Sequence, residues 1–166
     1  MKRVFILAAL GLSVVQTPRL HAQAVAAGSE SSKEIDADVW AVVSATVAAG
    51  DVVGMGRTYH PDAVLVNSST TASIRVTLVR WGEGMAKAKR EGRRSTVSFR
   101  FNKRQDGSET AFESGMFQLT EIDSSGVSTS RYIPFECLLV KQNGKWLMLM
   151  ERQFDDSQRM WEKLAP

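Results

Sequence analysis

The chain has 166 residues, 43% of them hydrophobic, with 21 Lys+Arg against 18 Asp+Glu, two His and one Cys. That length and apolar content fit one folded domain with a modest core and exclude a disordered chain. Cys137 stands alone, which excludes an internal disulfide and any multi-thiolate zinc or iron–sulfur centre.

Lys2 and Arg3 precede an apolar run from Val4 to Val15, and a more polar stretch ends in Ala22-Gln23-Ala24. A basic start, a short apolar centre and an A-x-A site are the layout of a secretory signal, expected to be cut after Ala24. The run is shorter than the roughly 20 residues that span a bilayer, so no membrane anchor is expected to remain. The mature protein is then periplasmic or secreted. Residues 1–24 hold Lys2, Arg3 and Arg19 and no acid, so cleavage leaves 18 bases against 18 acids. The excess charge of the precursor therefore gives no reason to expect a nucleic-acid partner.

Val25 to Ser32 reads as a tether. Ser31 and Glu34 have capping-box spacing, and Ile35, Val39, Val42 and Thr46 recur on one helical face with Trp40, Val43 and Val47 beside them. Gly50 is placed to end that helix and Asp51 to cap a second, about Val52 to Tyr59. His60-Pro61-Asp62 turns the chain into a short strand, Ala63 to Asn67, followed by a polar loop from Ser68 to Ser73. Thr77 is expected to cap a third helix, with Leu78, Trp81, Met85 and Ala88 on one face and Gly92 after its end. Gly82 and Gly84 inside it point to a close approach or to a weak helix.

From Arg94 the period changes to two, with Val97, Phe99 and Phe101 alternating with polar residues. Turns at Asp106-Gly107, Ser124-Ser125-Gly126 and Asn143-Gly144 divide residues 94–154 into four strands of an antiparallel meander. The last two strands are apolar on both faces. This predicts either a homodimer through the outer sheet face or cover from a short helical tail, Asp156 to Leu164. The expected fold is α+β, in the order α-α-β-α-β-β-β-β: three helices packed in a strongly curved, mostly antiparallel sheet that encloses a conical hollow. The expected division is signal 1–24, tether 25–33, folded domain 34–155 and tail 156–166.

The element order, the Gly50-Asp51 junction, the Tyr59-His60-Pro61-Asp62-Ala63-Val64 turn and the Lys141-x-Asn143-Gly144-Lys145-Trp146 hairpin resemble the nuclear transport factor 2-like superfamily. The chain is most similar to its SnoaL-like group, and the resemblance runs from about Glu34 to Phe154. It implies either catalysis inside the cone, as in polyketide cyclases, ketosteroid isomerases and dehydratases, or a pure binding or dimerisation module. It places Asn67, which cannot take up a proton, where steroid isomerases of this fold carry their basic carboxylate.

Candidate proton carriers are few. Glu151, near the end of the final strand, is the leading one; Glu113 and Glu136 lie in similar apolar stretches, and His60 is the one histidine left after cleavage. Held in an apolar cone, such a carboxylate has a raised pKa; at a strand edge it instead pairs with Arg131 or Arg152. Trp40, Tyr59, Trp81 and Tyr132 can line a pocket for a hydrophobic or ring-shaped ligand, or pack as core. Lys87, Lys89, Arg90, Arg93 and Arg94 cluster around the end of the third helix, where cations suit its dipole. Gly54-x-Gly56 and Gly82-x-Gly84 lack a third glycine and a preceding strand, so no nucleotide and no other cofactor or metal is expected. Three functions remain open: binding a small, largely apolar ligand, a cofactor-independent lyase or isomerase, and a dimeric interaction module.

Overall fold

A computed structural model of the chain describes residues 29–164. The signal sequence and most of the tether lie outside those residues. Three consecutive segments form the first helical arm: α1 (Glu30–Ile35), a π-helical turn (Asp36–Trp40) and α2 (Ala41–Ala49). A short α3 (Val52–Gly56) leads to β1 (Tyr59–Val66), β2 (Thr71–Ser73) and the long α4 (Ile74–Arg90). The meander β3 (Arg94–Asp106), β4 (Thr110–Ile122), β5 (Ser128–Gln142) and β6 (Lys145–Gln153) follows, and α5 (Gln158–Trp161) closes the described chain. The six strands form one sheet in the order β2-β1-β6-β5-β4-β3, antiparallel except where β1 runs parallel to β6.

Local chemistry explains the joints. Gly50 takes a left-handed φ of 66° that ends α2, and Asp51 accepts a hydrogen bond from the Gly54 amide to start α3. Asn143 and Gly144, at φ 52° and 77°, make the tight β5–β6 turn. Gly115 has a different reason. A Cβ there would stand 2.1 Å from the Arg100 carbonyl oxygen, because β3 and β4 press together where the sheet bends. A register irregularity between Phe101 and Lys103 lies at the same bend.

Several boundaries differ from expectation. Ser29, not Ser31, caps the first helix, accepting from the Ser32 amide, and Glu34 instead accepts from the Trp146 indole and the Lys141 ammonium. Those two donors hold the Glu34 carboxyl below its ordinary range. The π-helical turn rephases the apolar face, so Val39 and Trp40 are both buried and Val42 is only half-buried. The second helix stops at Gly56, and the strand after it begins at Tyr59. The polar loop contains β2, which pairs with Val64–Val66. The third helix begins at Ile74, and Thr77 is buried inside it, bonding back to the Ser73 carbonyl.

The core lies between the helices and the concave sheet face. Trp40 packs against Phe99, Phe101 and Phe135 at centroid distances of 4.8, 5.5 and 5.2 Å. Below them Glu113 is fully buried, accepting from the Trp40 indole at 2.6 Å and the Arg104 guanidinium at 2.7 Å. Arg104 also grips Asp36 at 2.7 Å, tying the π-helical turn to β3 and β4. On the convex face the tail docks through Trp161, whose ring is buried beside Tyr132 and under the Arg100 guanidinium.

Candidate functional site

Strand register orders the concave wall in rows. The row Glu151–Cys137–Glu113–Arg104 lies deep; Gln153–Phe135–Gly115–Phe101 comes next, then Ile133–Phe117–Phe99 and Arg131–Leu119–Val97. From Arg131 to Cys137 along β5 is about 20 Å at the usual rise per residue. A cavity of about 660 Å³ fills the space between these rows and the helices. Trp40, Met55, Tyr59 and Met148 wall its inner part, Val43, Trp81, Met85, Phe99 and Phe117 its middle, and the ends of α2 and α4 its mouth.

One buried carboxylate faces this cavity. Glu151 is 7% exposed; its Oε2 accepts from the Tyr59 hydroxyl at 2.5 Å and its Oε1 from the Gln153 amide at 2.6 Å. Burial raises its pKa above the ordinary carboxylate range, although the Tyr59 and Gln153 hydrogen bonds pull it back. The Tyr59 phenol is pushed well up by burial and then by the neighbouring Glu151 charge, so it remains the donor. This triad can present a ligand with a hydrogen-bonding group in an otherwise apolar chamber, or pass a proton.

A β-bulge puts Glu151 there. Leu139 pairs with Met148 and Leu138 with Met150, which leaves Leu149 as the additional residue of β6. Strict alternation from Trp146 and Met148 would have sent Met150 inward and Glu151 out. With the bulge, Glu151 and Gln153 share the concave face with Trp146 and Met148.

The remaining candidates are dispersed. Glu113 is raised by burial against the opposing pull of Arg104, but both its oxygens are engaged and it does not line the cavity. Glu136 faces the convex side, 3.7 Å from Arg152, the strand-edge ion pair that the sequence also allows. His60 accepts from the Asp62 amide in the turn and stands outside the cavity lining. Asn67 folds its side chain onto the Ser69 and Thr70 amides and is likewise outside. Trp40, Tyr59 and Trp81 line the cavity. Tyr132 does not: its parity on β5 turns it to the convex face against Trp161. Cys137 is fully buried beside Glu151, its thiol pushed well up by burial and then by the Glu151 and Glu113 charges.

Gln153 was not singled out from sequence, although its position two residues beyond Glu151 on a strand is the signal for a shared face. The basic cluster around the end of the third helix proves to border the cavity, without Arg90 and with Arg80 and Arg131 added. Arg80, Lys87, Lys89, Arg93, Arg94 and Arg131 all line the cavity. Among the described residues no cluster of His, Cys, Asp and Glu can hold a metal ion, and no helix is long and apolar enough to cross a membrane.

No family model and no curated protein matches the sequence. Solved structures do match in shape. A nuclear transport factor 2-like protein of unknown function from Shewanella oneidensis aligns with a TM-score of 0.62 at 14% identity, over 75% of this chain and 99% of its own. A nuclear transport factor 2-like protein with a cystatin-like fold from Novosphingobium aromaticivorans also gives 0.62, at 14% identity, covering 81% of this chain and 89% of its own. A ketosteroid isomerase-like protein from Erwinia carotovora gives 0.55 at 19% identity, covering 75% and 95%. The curled sheet, the helices in its concavity and these neighbours agree: the chain has the nuclear transport factor 2-like fold.

Proposed function

We propose that the cavity binds a small, largely apolar molecule bearing one hydrogen-bonding group, and that the protein does so after export, in the periplasm or outside the cell. The observation that carries this reading is a chamber of about 660 Å³, walled by aromatic and aliphatic side chains, with one buried carboxylate triad on its inner wall. Ligand sites of about 300–1,000 Å³ combine such walls with a few convergent polar groups that orient the ligand. Export rests on the character of residues 1–24. Kinship with the SnoaL-like group and a homodimer through the convex sheet face belong to the same proposal; Leu138 and Phe154 remain exposed despite the docked tail.

A second reading, a cofactor-independent lyase or isomerase, is favoured by the upward shift of Glu151. A carboxylate whose pKa burial raises is a stronger base than an ordinary one and, at neutral pH, is more often in the protonated form that can give the proton back. In that role Glu151 accepts a proton from a ligand carbon and returns it elsewhere, while Tyr59 and Gln153 fix its orientation.

Native mass spectrometry of protein purified from its own host tests the binding reading. A reproducible small adduct is expected, and the same compound should quench the Trp40 and Trp81 fluorescence when added back. No adduct and no quenching across metabolite extracts would overturn it. Glu151→Gln separates the two readings: retained binding with lost turnover of the identified compound marks an enzyme, while an extract left unconverted by the wild type marks a binder.

A further inference from the structure

The charged residues are unevenly placed. Residues 29–164 contain equal numbers of basic and acidic side chains. Yet Lys87, Lys89, Arg93, Arg94 and Arg131 gather at the mouth of one cavity and Arg80 lines it further back along α4, while the acids of the lining are Glu121 beside Arg93 and Arg131 and the deep Glu151. Glu91 pairs with Arg93 at 2.7 Å and Lys87 at 3.9 Å, and Glu121 stands 3.9 Å from Arg93 and 4.0 Å from Arg131. Among the described residues no carboxylate is within ion-pairing distance of Arg80, Lys89 or Arg94. The helix dipole accounts for Lys87 and Lys89 in the last turn of α4. It does not account for Arg80, well back from that end, nor for Arg94 and Arg131, which come from β3 and β5.

We propose that the ligand is an amphipathic anion, its apolar body in the cone and its anionic group at the mouth with Lys89 and Arg94, Arg80 adding positive charge further along the α4 wall. This deepens the binding reading above and rests on it. The orientation follows from the two ends of the chamber. An anion carried inside would lose its hydration against Trp40, Phe99 and Phe117 and approach the Glu151 carboxyl, both unfavourable. At the mouth it stays partly hydrated and meets Lys89 and Arg94, which have no ion-pair partner among the described residues. Guanidinium groups recognise carboxylate, sulfate and phosphate alike through paired N–H donors, so the class is set by charge and amphipathy.

Isothermal titration of the full chain with dodecanoate, dodecanol and dodecylammonium tests this. Dodecanoate is expected to bind about tenfold or more tighter than dodecanol, since a hydrogen bond to a charged group is worth roughly that factor. Dodecylammonium is expected to bind weakest. High salt should shrink the preference, because exposed charges are screened. The triple variant Arg80→Gln, Lys89→Gln, Arg94→Gln should remove the preference while leaving dodecanol affinity within twofold. Ala88→Trp, which fills the mouth, should abolish binding of both chains. Equal wild-type affinity for dodecanoate and dodecanol would overturn the anionic head and leave the cavity reading intact. Dodecanoate binding that survives Ala88→Trp would place the anion on the outer surface and overturn the proposal. No binding of any chain would overturn both readings.

Discussion

Two buried carboxylates sit on one row of the sheet, yet their surroundings give them different work. Glu113 is consumed by Arg104 and the Trp40 indole and acts as a strut between the first helical arm and the strands. Removing one partner of such a pair leaves an uncompensated buried charge, so Arg104→Met is expected to cost about 3–5 kcal/mol in urea unfolding, most of it restored by adding Glu113→Met. Glu151 has donors but no cation. Its folded pKa is raised by burial, so the folded state holds its proton to higher pH than the unfolded chain does. Stability must therefore fall as pH rises from the ordinary glutamate titration range through the folded value. Against Glu151→Gln, wild-type protein should lose melting temperature over that interval and run parallel above it. A constant difference at every pH would contradict the assignment.

At the scale of elements, most of the plan was legible in the sequence and the deviations were not. Period-two alternation and the Asn143-Gly144 turn reveal the meander because hydrophobic pattern and turn chemistry are local signals. A π-helical turn, a three-residue strand and a bulge leave no such mark: each is imposed by packing. The Leu149 bulge matters most, since parity read along β6 gives the wrong face for Glu151. The glycines of α4 show the same divide. A Cβ on Gly84 meets nothing within 4 Å, whereas one on Gly82 would stand 3.0 Å from Val52 Cγ1 of α3. The close approach is therefore helix on helix, at Gly82 alone. Gly84→Ala should stabilise by about 0.5–1 kcal/mol, while Gly82→Ala should gain nothing in the same denaturant titration.

The molecule as a whole is a cone with one wet, cationic end and one sealed end, where Trp146 is fully buried and donates to Glu34. Its convex side carries the α5 tail and also leaves Leu138 and Phe154 exposed. Sedimentation equilibrium is expected to return a dimer that Leu138→Glu converts to monomer with the cavity unaltered; a wild-type monomer would remove the dimer from the proposal. The bulge in β6 has a consequence for how such a chamber changes over generations. Loss of the single residue Leu149 would leave Met148, Met150 and Glu151 in strict alternation opposite Leu139, Leu138 and Cys137, so the irregularity would vanish and Glu151 would stay inside. The acid inside the cone can thus outlast a one-residue change in the length of its strand, because the bulge absorbs the difference and the pairing on either side keeps its face.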